Sequence, residues 1–322
     1  MKTSIFFPAN AHEGCVWVAA QQRLYFTTLP DLDNNRVALR HLDFAGQELR
    51  SEENWSELIN IDPTTVSVET FLGNINMANS FCLSADGGHF LVCEQGAERQ
   101  LSVLSRIDIF TKKREVLIDN YLDQPFNSLN KVIVSRLGHL IFTDPDYGFR
   151  QGFRPPPELE PALYVRPTGQ DEIFQANEEY FEMPHGIVLS SDERSLFVTD
   201  TSSDGQHDDE VDLDRCQDVY RLPFDPQNGI IKGKPKHCFR VDQGVPDGMV
   251  FVNNHLLVCA GDGIYIGDEN GEFLRKIEMN KSPVNLDAVG PQGEHLFVTV
   301  DDGVVFLPDW IETGLDREMT LN

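Results

Sequence analysis

The sequence predicts an all-β fold, a six-bladed β-propeller. Three observations predict it. A short strand cassette recurs six times along the 322 residues, a turn precedes each copy, and helical periodicity is nearly absent. The copies read QRLYFTT (Gln22–Thr28), GHFLVCE (Gly88–Glu94), GHLIFTD (Gly138–Asp144), RSLFVTD (Arg194–Asp200), NHLLVCA (Asn254–Ala260) and EHLFVTV (Glu294–Val300). Repeats of roughly 40–60 residues built from short strands indicate one four-stranded sheet per repeat.

The third copy shows the unit most fully. From Pro125 to Gly148 a polar lead-in is followed by an apolar run, a turn at Leu137–Gly138 and a second apolar run ending in Asp144. Two short strands joined by a tight turn form a β-hairpin. The six units spread over nearly the whole chain and imply a single domain over residues 1–322, with blades at about 12–76, 77–120, 121–180, 181–243, 244–280 and 281–312.

Blade one opens with HEGCVWVAAQQRLYFTT, turning at Gln21–Gln22; RVALRHLDF supplies its third strand and VSVETFL an outer one. Trp55, in the less periodic text between them, is expected to pack. Blade two runs from Asn79 to about Ile118. Blade three carries a long connection, Asp144 to Glu158, whose Tyr147, Phe149 and Phe153 either wall a pocket or pack on one another. Blade four turns at Ser190–Arg194 and is followed by the acidic tract Ser203–Asp214. That tract shares only composition with a calcium-binding EF-hand loop, its glycine and glutamate standing at the wrong spacing, so a solvated loop is expected. Blade five turns at Asn253–Asn254 and again at Glu269–Gly271; blade six is SPVNLDAVGPQGEHLFVTVDDGVVFL. The residues after Trp310 are expected to fray or to close the ring.

Composition narrows the function. Lys plus Arg number 26 against 52 for Asp plus Glu, a formal charge of −26 that repels nucleic-acid phosphates. No stretch has the length of a membrane span, and the apolar run in MKTSIFFPAN is too short for a signal peptide. The expectation is a cytosolic monomer or homodimer that acts on a small molecule, with neither nucleic acid nor membrane as partner. The six cysteines lie largely in apolar strand contexts and read as buried free thiols rather than three disulfides.

The chemistry is expected where each innermost strand begins, about ten residues before the aligned Leu or Phe of each cassette. There the copies carry Glu13, Asn79, Asn130, His185, Asp247 and Asn285, every one polar and followed by an apolar strand. The innermost strands of a propeller run along its central channel, so these six meet around one axis at one mouth. A buried polar ring is costly unless its members are paired or bind something. Carboxylate, amide and imidazole together suggest a divalent metal. The chain lacks a phosphate loop, a nucleophile-elbow serine, an HExxH helix and a CxxC pair.

The sequence resembles the SMP-30/gluconolactonase family of six-bladed propellers. The resemblance rests on EGCVW (Glu13–Trp17), NSLNK through FTDPDYG (Asn127–Gly148), PHG through VTDT (Pro184–Thr201), and PDG with GDG (Pro246–Gly248, Gly261–Gly263), and it covers about residues 12–307. It implies one divalent cation at the channel mouth and lactone hydrolysis, with organophosphate hydrolysis in relatives. The implied ligand positions are Glu13, Asn130, His185 and Asp247. His185 stands where the family usually has the Asn of PNG, Lys131 where it has the Asp of ND, and Ser128 near the place of an Arg that recognises sugar lactones. The resemblance points to calcium, while an imidazole ligand suits zinc, iron or manganese.

His185 either ligates or only donates a hydrogen bond. Lys131 is either a partner for a substrate carboxylate or oxyanion, or a counter-ion to Glu13 and Asp247. The expected chemistry is Lewis-acid hydrolysis, with Asp247 as general base and Asn79, Asn285 and Lys131 steadying the oxyanion. Tyr147 is a further candidate for substrate contact, and Asp144 and Asp200 are expected to serve structural turns. A phosphotriesterase-like or isomerase reaction on the same metal, and a non-catalytic ligand-binding propeller, are the alternatives.

Overall fold

The computed structural model describes residues 4–49, 51–176, 180–204 and 214–311. Six antiparallel sheets are laid down in chain order, interrupted by little helix. An outlying strand β1 (Ile5–Ala11) comes first. Blade one is β2 (Val16–Val18), β3 (Arg23–Thr27), β4 (Leu39–Asp43) and β5 (Ser67–Leu72), and blade two is β6 (Ala78–Leu83), β7 (His89–Glu94), β8 (Val103–Asp108) and β9 (Arg114–Ile118). A small ribbon, β10 (Asn120–Tyr121) with β11 (Gln124–Pro125), leads to blade three: β12 (Val132–Val134), β13 (Leu140–Asp144), β14 (Ala162–Arg166) and β15 (Phe174–Ala176).

Blade four is β16 (Pro184–Leu189), β17 (Ser195–Asp200), β18 (Asp218–Asp225) and β20 (Lys236–Arg240), with the short β19 (Ile230–Ile231) on the far end of β18. Blade five is β21 (Met249–Val252), β22 (His255–Ala260), β23 (Gly263–Gly267) and β24 (Phe273–Glu278). Blade six is β25 (Asn285–Val289), β26 (His295–Thr299) and β27 (Asp301–Leu307), and its fourth strand is β1.

All six recurrent cassettes are second strands, as their alternation predicts. The innermost strands β2, β6, β12, β16, β21 and β25 each touch the next around a closed ring. Phe, Tyr, Trp and Leu side chains fill the wedges between blades; Trp17, Phe44, Trp55, Phe297 and Phe306 form one such aromatic cluster between blades six and one. Burying each such side chain contributes roughly 1.5–3 kcal/mol. Trp55 packs, as expected, from a short helix α1 (Glu52–Glu57) capped by the Ser51 hydroxyl.

The N-terminal end of the chain closes the ring. The apolar run IFFPANA is β1, which pairs antiparallel with β27 and buries Ile5 and Phe7. Pro8 is tolerated there because β1 is the outermost strand of its sheet. Trp310 is buried, its indole N–H donating to the Gly293 carbonyl, and residues 312–322 lie outside the described residues. All six cysteines are free thiols. Among the described residues no helix is long and apolar enough to cross a membrane.

Candidate active site at the channel mouth

The inner strands meet around the ring, and the backbones at their starts are crowded. A Cβ on Gly186 would stand 2.3 Å from the Asp247 carbonyl oxygen, and one on Gly248 2.6 Å from the Asn285 amide. Only glycine lets neighbouring inner strands approach this closely. The residues just before these glycines, His185 and Asp247, are thereby brought together, with His185 Nδ1 3.6 Å from Asp247 Oδ1. Glu13 joins them: one ligating atom from each of Glu13, His185 and Asp247 lies within 4.8 Å of the others.

Threonine hydroxyls from the second strands hold this ring. Thr27 Oγ1 donates to the carbonyls of Glu13 and Asn79, at 3.2 and 3.0 Å. Thr143 Oγ1 accepts from the Lys131 N–H and donates to the His185 carbonyl at 2.8 Å, tying blade three to blade four. Thr199 Oγ1 accepts from the Gly186 N–H at 2.7 Å, and Thr299 Oγ1 bonds to both backbone groups of Asn285.

The electrostatics suit a cation. Burial pushes the Asp247 carboxyl well above the usual range, and the neighbouring Glu13 charge adds to it. Burial acts the same way on Glu13, but Lys131, His12, His185 and the Asn285 amide outweigh it and hold Glu13 below its ordinary value. Two carboxylates this close, one buried and the other only partly exposed, do not both ionise readily without a compensating positive charge. His185 is pushed down to about 4 by burial, so its imidazole is neutral and free to ligate. Its Nδ1 and the Asn79 Oδ1 are buried without a hydrogen-bond partner among the described residues. Paired carboxylates, a neutral imidazole and two orphaned buried acceptors fit a divalent cation.

The remaining predicted residues fall around this group. Asn130 is buried at the channel, its carbonyl accepting from the Ser80 N–H. Lys131 is buried and close enough to influence Glu13, Asp247 and His185, yet it forms no ion pair within 4.0 Å among the described residues. Asn285 holds Glu13 through Nδ2 at 2.6 Å, and its Oδ1 accepts from the Leu286 N–H. Its amide is therefore engaged in positioning Glu13. Tyr147 opens a one-turn helix α2 (Tyr147–Arg150); its ring centroid is 5.3 Å from that of His185, and its hydroxyl meets Thr201 Oγ1 at 2.6 Å. Phe149 is exposed and Phe153 packs into the core between blades one and two. Asp144 accepts from the Asn127 and Ser128 N–H groups and Asp200 from those of Glu182 and Ser202, the turn roles expected of them. The acidic tract lies largely outside the described residues, which include only Ser203, Asp204 and Asp214 of it.

The family model for the SMP-30/gluconolactonase/LRE-like region matches residues 11–301. The chain belongs to that family. Among curated relatives of this SMP-30/gluconolactonase chain, a gluconolactonase of Zymomonas mobilis is 29% identical over 219 residues, covering 65% of this chain and 58% of that protein. A lactonohydrolase of Aspergillus oryzae is 24% identical over 224 residues, covering 62% of this chain and 48% of that protein. The match thus spans about half the length of these relatives. Among solved structures, a gluconolactonase of Xanthomonas campestris superposes with a TM-score of 0.71 at 24% identity, covering 94% of this chain and 87% of that one. A calcium-binding regucalcin of Agrobacterium tumefaciens gives 0.63 at 16% identity, over 98% and 94%. These likenesses confirm the propeller.

Two features of this family member escape the repeat alignment. The threonines were visible in four of the six cassettes, with Cys93 and Cys259 in their place in the other two, but their bonds to neighbouring blades were not. His12 Nδ1 lies 2.7 Å from Asp301 Oδ1 beside Glu13, a pair separated by 289 residues for which the sequence carries no signal. Burial lowers the His12 pKa, and Asp301 with Glu13 more than restores it, leaving it above the ordinary value.

Proposed function

We propose that this chain is a lactone hydrolase acting at the channel mouth, with one divalent cation held by Glu13, His185 and Asp247 and completed by Asn130. The observation that carries the reading is the convergence of Glu13, His185 and Asp247, two carboxylates and a neutral imidazole from three different blades. The names of the gluconolactonase and lactonohydrolase relatives support the substrate class. When bound, the cation supplies Lewis acidity toward a carbonyl oxygen and lowers the pKa of water.

The chain's own residues do the rest. Asp247 accepts a proton from the attacking water at a carboxylate oxygen. The water oxygen bonds to the acyl carbon, the ring C–O bond breaks, and the departing alkoxide takes the proton to give a hydroxy acid. The Lys131 ammonium contributes positive charge where the carbonyl oxygen becomes negative. Asn285 keeps Glu13 in place, and the Tyr147 ring walls the side of His185. The cation's identity follows from the same residues: His185 in place of an amide shifts preference from calcium toward zinc, iron or manganese.

The test is hydrolysis of an aldonolactone panel, followed by acid release, with metal-stripped protein and with protein reconstituted with calcium, manganese, zinc or ferrous iron. The reading expects little turnover in the stripped protein and restoration by at least one ion. Lactone-independent behaviour, with hydrolysis of phosphotriesters only, would move the substrate class.

A further inference from the structure

Blade one carries a second cluster of metal-ligating side chains, far along its sheet from the channel. His41 and Asp43 project from the same face of β4, two residues apart, and Glu69 of β5 is the cross-strand partner of His41. One ligating atom from each of the three lies within 4.8 Å of the others. His41 is only 4% exposed, and neither Nδ1 nor Nε2 has a hydrogen-bond partner among the described residues. A buried imidazole ordinarily satisfies at least one ring nitrogen. Glu69 Oε2 lies 3.7 Å from His41 Nε2, beyond hydrogen-bond distance.

We infer that His41, Asp43 and Glu69 form a divalent-cation site on the outer half of blade one, suited to zinc. Zinc takes imidazole nitrogen and carboxylate oxygen at about 2.0–2.2 Å, which sets tetrahedral ligand atoms about 3.3–3.6 Å apart. The His41–Glu69 separation is already close to that, and the Glu69 side chain is 56% exposed, tied only by one 3.3 Å hydrogen bond that its Oε1 accepts from Ser67 Oγ among the described residues, which leaves Oε2 for the cation. Solvent reaches the cluster past Glu69 and completes the coordination. Asp43 is the fixed member: Oδ2 accepts from Arg23 Nε and Nη2 at 2.9 and 2.8 Å, and Oδ1 from the Ala45 N–H at 2.9 Å. A carboxylate has about four lone-pair sites, so these bonds orient Asp43 without exhausting it. The Tyr25 ring, 5.0 Å away centroid to centroid, covers one side of the imidazole. Burial, with Arg23 and Lys112 nearby, holds the His41 pKa below its ordinary value, so the ring is in the neutral form that ligates.

This site does not depend on the lactonase reading, and its test uses binding alone. Zinc affinity and stoichiometry are measured by competition with a chromogenic chelator on stripped full-length protein carrying Glu13→Gln, which weakens the channel site. His41→Gln and Glu69→Gln are each added to that parent. The expected result is one zinc equivalent in the parent, weakened at least about tenfold by either substitution, and a zinc-induced rise in Tm that both variants lose. Glu69 is exposed, so Glu69→Gln leaves the fold intact even if His41→Gln does not. Equal zinc stoichiometry and affinity in the parent and Glu69→Gln, or retention in a folded His41→Gln protein, overturns the site and leaves His41 a buried histidine beside a surface carboxylate.

Discussion

At the scale of single residues, environment rather than residue type sets the chemistry. Asp144 and Asp247 are both carboxyls at the edges of strands, but Asp144 is fully buried and accepts two peptide N–H groups, while Asp247 is partly exposed and faces Glu13. Burial pushes Asp144 up to about 7, against those two bonds and the nearby Arg154. The native state therefore holds a proton that the unfolded chain releases near pH 4, and the stabilisation it brings is full at low pH and lost as pH rises through about 7. Relative to Asp144→Asn, the wild-type protein should lose stability between pH 5 and 7, by up to about 1.4 kcal/mol per pH unit. A Tm difference between the two proteins that stays constant from pH 5 to 8 would contradict this. A second prediction concerns His185. Because imidazole nitrogen suits transition ions and amide oxygen suits calcium, His185→Asn should move the metal-activation profile toward calcium. Identical profiles in both proteins would remove His185 from the metal's coordination.

At the scale of elements, the second strands do more than fill the blades. Their threonines stitch the starts of inner strands, within a blade at Thr299 and between blades at Thr27 and Thr143. Thr143→Val keeps the shape and removes the bond to the His185 carbonyl, leaving that buried carbonyl without this partner. It should cost about 1 kcal/mol of stability and lower kcat/KM through misplacement of His185. Unchanged kcat/KM in a variant of reduced Tm would confine Thr143 to a packing role. This layer also marks how far the sequence was legible. Hairpin alternation and the threonine's place in the cassette are local, so second strands and the polar residues ahead of them could be read directly. Which neighbour a hydroxyl reaches, or that Asn285 turns to Glu13 rather than into the channel, depends on side chains from strands far apart in sequence.

At the scale of the whole molecule, the propeller is held shut by β1, which returns to complete the sheet begun by β25 near the other end of the chain. That exchange was not legible, because IFFPANA lacks the cassette and its partner lies nearly 300 residues away. Phe7, 1% exposed in the core between blades six and one, anchors the closure. Phe7→Ala should cost about 3–5 kcal/mol, read as a fall in Tm; a loss under about 1 kcal/mol would mean that β1 adds little to closure. Closure matters because Glu13 follows β1 directly and must meet His185 and Asp247 across the channel. The most direct test of that convergence is to measure bound cation and aldonolactone kcat/KM together in wild type, Glu13→Gln and Asp247→Asn. The expected result is loss of tight stoichiometric metal in both variants, a fall of about 10²–10⁴-fold in kcat/KM for Asp247→Asn, and secondary structure unchanged by circular dichroism. Full metal content and wild-type hydrolysis in both variants would place the reaction elsewhere.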